Sequence, residues 1–439
     1  MKTRTLISEL QEKVGETVTV EGFVEKIRDQ KAIQFVILRD ITGKVQLVNE
    51  REKNAKFADI ISSLPIESTI QVAGKVIENS QVKLGGLEIA IDELAVTSTA
   101  EPMLPIPVIG QEPIAPEKRM DYRWLDLRRS ENLLIFKVQT TIERAMRDFW
   151  TKEKFLEIHS PKLMGAPSES GAELFEVKYF DRKAYLAQSP QFYKQMAMAA
   201  GFDKIFEIGP VFRADPSATS RHSTEFTGVD MEISYVESHH DVMDLEAKFL
   251  KHVLEVVKKE HGDEIKGLFN TEIEIPQLPF PEITMEEAQK IVAESGHKSE
   301  AAIKGDLDPE GERIVAKYIK EKEGHDFVFV TDYPASVRAF YHMRDENTGL
   351  TKSFDLLYKG VEITTGAQRE HRYEILKKQA EEKGVSEESI KFYLEFFRYG
   401  VPPHGGLGLG LARLLMIMLN RENIREVTYL FRGMNRLEP

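Results

Sequence analysis

The 439-residue sequence predicts a two-part α+β protein: a small β-barrel, then a larger domain built on an antiparallel sheet flanked by helices. Three observations predict it. Residues 1–99 read as short alternating strands. Residues 99–119 carry Pro102, Pro105, Pro107, Pro113 and Pro116, a run that packs neither as helix nor as central strand and reads as a semi-rigid linker. Beyond it, strands and helices mix without a βαβ repeat, which argues against a parallel sheet.

The first five strands are expected at 17–27, 32–39, 44–49, 69–77 and 87–97. Val18 and Val20 alternate with polar neighbours, and Gly43 supplies a turn before Val45. A helical stretch over 54–63 falls between the third and fourth strands. Five strands with a helix after the third is the order of an OB-fold, a frequent binder of single-stranded nucleic acid. The expected domains are therefore a barrel over 1–99, a linker over 100–121 and a second domain over 122–439. That second domain opens with an amphipathic helix carrying Ile135, Val138, Ile142, Met146 and Phe149 on one stripe. Residues 262–330, with helical patterns over 285–294 and 309–321, read as an inserted subdomain.

Hydrophobic residues make up 41% of the chain, enough for large cores, yet no apolar run approaches a membrane span. The charged start, Met1-Lys-Thr-Arg, does not read as a signal peptide. Cysteine is absent, which excludes disulfides, a thiol nucleophile and a Cys-ligated zinc. The expectation is a cytoplasmic protein with no membrane partner. A net charge of −13 argues against indiscriminate nucleic-acid binding. Within the barrel, however, Lys26, Arg28, Lys31, Arg39 and Lys44 outnumber Asp29 and Asp40, a local basic strip suited to a specific RNA contact. The histidines, including His239-His240 and His371, show no metal-ligand spacing and read as structural or solvated.

Near the C-terminus, Gly406, Gly408 and Gly410 run on a two-residue beat into an apolar helix that carries Arg413. Glycines so spaced let a backbone approach a flat or phosphorylated ligand. A dinucleotide loop is excluded, because its third glycine would fall at Leu411 and too little chain follows for a βαβ unit. Upstream lie Phe155-Leu-Glu-Ile-His-Ser-Pro161 and Gly209-Pro-Val-Phe-Arg213-Ala-Asp215. A strand ending in proline, a strand carrying arginine and a Gly-rich strand leading to an arginine helix, in that order, resemble motifs 1, 2 and 3 of a class II aminoacyl-tRNA synthetase.

Adenylation of an amino acid needs positive charge at the α-phosphate, a metal for the triphosphate and a clamp for adenine. On that reading, Arg213 neutralises the α-phosphate, Arg221 and His222 reach the β- and γ-phosphates, and Phe226 offers a ring face to adenine with Arg413 covering the other side. Asp355 and Glu362 are seven residues apart, so Lys359-Gly360 must turn between two hairpin strands to bring them together. With the Thr365 hydroxyl they suit Mg²⁺ held partly by substrate phosphates. Ser189 and Pro190 start a helix on which Gln191 and Lys194 share a face. With Asp230 and Arg369 these form a zwitterion site, an acid for an ammonium and two cations for a carboxylate.

The fuller set, Arg123-Trp-Leu-Asp-Leu-Arg-Arg129, Gln188-Ser-Pro-Gln-Phe-Tyr-Lys194, His222-Ser-Thr-Glu-Phe226, Asp230 and Gln368-Arg-Glu-His371, resembles the aspartyl-tRNA synthetases of the archaeal/eukaryotic-like class IIb type. The resemblance covers essentially the whole chain. It implies an ATP-dependent ligase acting on L-aspartate and tRNA-Asp, with tRNA-Asn left open as a further acceptor. It also implies an anticodon-reading barrel using Phe35, Gln46 and Arg28, a homodimer built around Pro161, and a loop at Ser168–Glu173 closing on aspartate through Glu169. Gly408, Gly410 and Asp215 join the ATP site. Asp215, Ala412, Ala172, Thr364, Ala367 and the Phe431-Arg-Gly-Met end depart from the family pattern and mark a divergent member. An asparagine–tRNA ligase and a tRNA-binding paralogue without ligation are the alternatives.

Overall fold

A computed structural model describes residues 4–110, 112–166, 174–216 and 219–439. The chain divides into two compact units, Met1–Ala115 and Pro116–Pro439.

The first unit is a closed barrel of β1 (Thr17–Asp29), β2 (Ile33–Arg39), β3 (Lys44–Glu50), β4 (Thr69–Glu78) and β5 (Leu87–Ser98), in the order β1-β2-β3-β5-β4. One helix, α1 (Ala55–Ser63), joins β3 to β4. The alternation in β1 sends Val18, Val20 and Val24 inward, where they meet Val36, Leu38, Leu47, Val72 and Ile89. Closure leaves no unpaired edge between these strands. The expected basic strip shrinks on folding. Arg39 is buried against Glu25 and Glu67, at 3.0 and 2.9 Å, and Lys44 is held 2.6 Å from the same Glu25.

In the second unit, 116–121, expected as the end of the linker, form a short helix. Then come α2 (Ser130–Lys152), β6 (Leu156–Glu157), α3 (Gln191–Ala199), β7 (Lys204–Phe212), β8 (Glu225–Ser234) and α4 (His239–Phe269). They are followed by β9 (Glu282–Thr284), α5 (Met285–Glu294), α6 (Pro309–Glu323), β10 (Phe327–Thr331), β11 (Ser353–Tyr358), β12 (Val361–Gln368), β13 (His404–Gly410) and α7 (Leu411–Met418). Eight strands make one sheet in the order β9-β10-β11-β12-β13-β8-β7-β6, antiparallel except at its two edge pairs. Residues 262–330 do not stand apart from it. Their first turns finish α4, and β9 and β10 extend the sheet, while α5 and α6 bury Val292, Val315 and Ile319 in a satellite core against β10.

Helices α2, α4 and α7 share one large core with the sheet, Trp150 stacking on Phe206 and Phe249 at 4.5 Å each. Strand period 2 assigns the two faces. Val229 and Met231 of β8 and Leu407 and Leu409 of β13 enter that core. Asp230, Glu232, Gly406, Gly408 and Gly410 must then face the other way. Among the described residues, no helix is long and apolar enough to cross a membrane.

Candidate active site

On that opposite face lies a cavity of about 460 Å³. It gathers most of the residues the sequence singled out: Gln191, Lys194, Arg213, Asp215, Arg221, His222, Phe226, Asp230, Glu362, Thr365, Arg369, Gly408, Gly410 and Arg413. Glu169 lies outside the described residues.

One end is a buried set of balanced charges. Lys194 donates to Asp230 Oδ1 at 2.9 Å and to the Leu407 carbonyl at 3.0 Å, with Glu232 Oε2 at 3.5 Å. Arg369 donates through Nε to Glu232 Oε1 at 3.0 Å and through Nη2 to the Gly406 carbonyl at 2.9 Å. Glu232 was not foreseen, and it is the hub of this end. It is fully buried, and Arg369 and Lys194 hold its carboxyl below the ordinary value despite the opposing cost of burial. The period of β8 carried the clue, since Glu232 follows Asp230 by two positions on the same face.

The glycine beat now has a structural cause. Gly406 pairs across the sheet with Glu232, and Gly408 with Asp230. A Cβ on Gly406 would stand 2.1 Å from Glu232 Oε2, and one on Gly408 would stand 3.2 Å from Asp230 Oδ1. Glycine spacing at this end makes room for the two acids.

Helix α3 begins one residue later than expected. Pro190 is its cap residue, and Ser189 Oγ accepts from the Gln191 N–H at 3.3 Å. Gln191 and Lys194 still share the face that lines the cavity, and Gln191 is fixed by Gln195 at 2.8 Å.

At the other end arginines converge. Burial lowers the His222 pKa, and the charges of Arg413, Arg221 and Arg213 add to that effect against Asp215. His222 is therefore a neutral ring amid three guanidinium groups. Arg213 sits over Phe226, 5.5 Å from the ring centroid. Arg413 donates to the Glu362 carbonyl at 3.1 Å. Arg221 is gripped at both nitrogens by Glu312 of α6, at 2.6 and 3.0 Å, and the same carboxylate accepts from the Glu362 N–H at 3.0 Å. Nothing in the sequence pointed to Glu312. Because one acid orients both Arg221 and the Glu362 backbone, Glu312→Ala should raise the KM for ATP by ~10–100-fold, the worth of a charge-assisted bond of ~1.5–3 kcal/mol. The KM for the amino acid should stay within a factor of about two, and steady-state kinetics with each substrate varied in turn decides it.

The hairpin of β11 and β12 turns at Lys359-Gly360, both at positive φ, as the seven-residue spacing required. A β-bulge then slips the register between Leu356 and Leu357, so Glu362 and Ile363 occupy the length of one residue. That extra residue brings Glu362 to the face of Thr365, whose hydroxyl donates to it at 3.2 Å. Asp355 pairs across the ladder with Thr365 but does not line the cavity. Its Oδ2 lies 2.7 Å from Arg338, a second unforeseen residue, stacked 3.5 Å from the Tyr333 ring. Burial, then the Asp355 charge, push the Glu362 carboxyl above its ordinary value.

In the barrel, Arg28 and Phe35 are register partners, with the guanidinium 5.3 Å from the ring. Arg28 also donates to Gln46 at 2.9 Å, and Gln46 donates to Glu88 at 3.1 Å. The three expected residues thus form one patch, with Gln46 buried and anchored on both sides.

An OB barrel in one unit and, in the other, an antiparallel sheet with three arginines and a balanced buried charge cluster in one cavity make up the architecture of a class II synthetase. Residues 115–432 match the model of the tRNA synthetases class II (D, K and N), and residues 18–97 match the OB-fold nucleic acid binding domain. The chain belongs to this class II family, in its aspartate–tRNA ligase branch. It is 42% identical to the aspartate–tRNA(Asp) ligase of Pyrococcus horikoshii, over 97% of each chain. It is 43% identical to the aspartate–tRNA(Asp/Asn) ligase of Methanopyrus kandleri, over 98% of this chain and 97% of that one. Among solved structures, the asparaginyl-tRNA synthetase of Pyrococcus horikoshii with asparaginyl-adenylate superposes at a TM-score of 0.90, with 30% identity and all of both chains covered. The aspartyl-tRNA synthetase of Entamoeba histolytica gives 0.87 and 32%, covering 100% of this chain and 93% of that one.

Proposed function

We propose that the protein activates L-aspartate with Mg-ATP and transfers it to tRNA-Asp. The observation that carries this reading is Arg369, buried in the cavity and aimed by Glu232 and the Gly406 carbonyl. Among the described residues two of its N–H groups are used for that aim, and the rest of the fork is left for a carboxylate. Asp230 takes the substrate ammonium, and Gln191 and Lys194 complete the pocket. An α-carboxylate oxygen of aspartate attacks the α-phosphorus while the bond to pyrophosphate breaks, with Arg213 neutralising the charge that builds there. Arg221 and His222 hold the outer phosphates, and Asp215, Phe226, Gly408, Gly410 and Arg413 bound the nucleotide. A terminal ribose hydroxyl of the tRNA then attacks the mixed anhydride and AMP leaves.

Mg²⁺ would be held by Glu362 and Thr365 in the cavity wall and by Asp355, the partner of Thr365 across the ladder, neutralising the triphosphate. The donor set suits a hard cation: among the described residues, Asp355 Oδ1 is buried with no hydrogen-bond partner, and the two carboxylates repel. Pro161 is exposed, between exposed Leu156 on edge strand β6 and exposed Leu163, which fits the expected homodimer face. A cytoplasmic setting follows from the substrates.

ATP–pyrophosphate exchange with aspartate and with asparagine, followed by charging of purified tRNA-Asp and tRNA-Asn, tests the reading; exchange with asparagine alone would overturn it. The barrel patch is tested separately. Phe35→Ala should remove a base stack of ~1–3 kcal/mol, weakening charging by ~5–150-fold. Exchange should stay near normal, and a matching loss in exchange would detach Phe35 from the tRNA.

A further inference from the structure

The second unit carries a cluster of ligating side chains outside the cavity. We propose that His239, His240 and Glu282 form a binding site for a divalent transition cation of the zinc type, tying the first turn of α4 to edge strand β9. One ligand atom from each lies within 4.8 Å of the other two. His239 is 7% exposed, and among the described residues neither of its ring nitrogens has a hydrogen-bond partner. A buried imidazole with both nitrogens unsatisfied costs free energy that a metal bond would recover. A neutral imidazole is the commonest protein ligand of such a cation.

The other two ligands are already oriented. His240 Nδ1 lies 3.3 Å from the Ser238 hydroxyl, which leaves Nε2 pointing at Glu282 Oε1, 3.2 Å away. Thr331 donates to the same Glu282 oxygen at 3.2 Å. Such outer partners fix the tautomer and ring direction of metal-binding histidines. When a cation takes Nε2, the ring proton moves to Nδ1 and is donated to Ser238 Oγ. Two histidines and a carboxylate form a known zinc donor set, and around zinc at ~2.0–2.1 Å per nitrogen the donors would stand roughly 3.3 Å apart. His240 and Glu282 are exposed and free to close that gap. Asp332 raises the local negative charge beside Glu282, and Lys352 opposes it from the His239 side. Imidazole donors favour zinc over magnesium, so this site does not compete for the cation of the triphosphate.

Titrating the full chain with Zn²⁺ in excess Mg²⁺ tests the assignment. One equivalent should bind per chain, Co²⁺ should give a visible ligand-field band, and Zn²⁺ should raise the unfolding temperature by mass action. His240→Ala and Glu282→Gln, both at the surface, should each weaken zinc by more than ~10-fold and abolish the thermal shift. Both should leave aspartate-dependent exchange unchanged. Glu362→Gln should keep the zinc isotherm of the parent. The proposal fails if the parent takes up no stoichiometric zinc, if either surface variant binds zinc as the parent does, or if Glu362→Gln is the variant that loses it.

Discussion

Arg369→Lys is expected to cut the kcat/KM for aspartate in pyrophosphate exchange by ~10²–10³-fold, within the range of ~2–5 kcal/mol lost on truncating a buried, hydrogen-bonded charge. The charge survives in the lysine, but the fork does not. Arg369 now divides its donors between Glu232 and the Gly406 carbonyl on one side and the open cavity on the other. A lysine ammonium can satisfy Glu232 or a substrate carboxylate, and not both in one geometry. Because Asp230 and Glu232 balance Lys194 and Arg369, discrimination against asparagine cannot rest on net charge. It must rest on direction, a guanidinium edge that suits two carboxylate oxygens and mismatches an amide, and such mismatches discriminate by up to ~10⁴–10⁵. Asparagine exchange should therefore fall much less than aspartate exchange. Equal losses for both amino acids would mean that Arg369 positions something common to them.

Glu362→Gln is expected to abolish most exchange at ordinary Mg²⁺, by ~10²-fold or more, with partial recovery as Mg²⁺ is raised. The substitution keeps size and the bond from Thr365 while removing one anionic ligand. A pH signature accompanies it. The wild-type carboxyl titrates above its ordinary value, and only its deprotonated form binds the metal. The Mg²⁺ requirement of the wild type should rise as pH falls through that raised pKa, and the glutamine variant should lack this dependence. An Mg²⁺ requirement unchanged by the substitution would take Glu362 out of the metal site.

Much of this was legible in the sequence because it was periodic or local. The barrel strands alternate, the proline run breaks the chain, and the seven-residue spacing of Asp355 and Glu362 demanded the turn found at Lys359-Gly360. What was hidden depends on partners far along the chain. Glu312 reaches Arg221 from a helix 91 positions away, and Arg338 reaches Asp355 from a loop. Neither position has a pattern of its own. The basic strip shrank for the same reason: counting Arg39 and Lys44 as available charge overlooks Glu25 and Glu67, which only the folded barrel brings to them. Glu232 was the avoidable omission, since strand alternation from Asp230 already named its face.

The slipped register at Ile363 sets regularity against use. Pairing Ile363 with Leu357 would zip β11 and β12 into an unbroken ladder, each ladder bond regained and the hairpin left no worse as a hairpin. That regular register would turn Glu362 through the sheet, away from Thr365, into an apolar core that has no place for a carboxylate. The register at this point is thus under a constraint that amino-acid identity does not reveal: the site depends on where the ladder slips and not on which residue fills the slip.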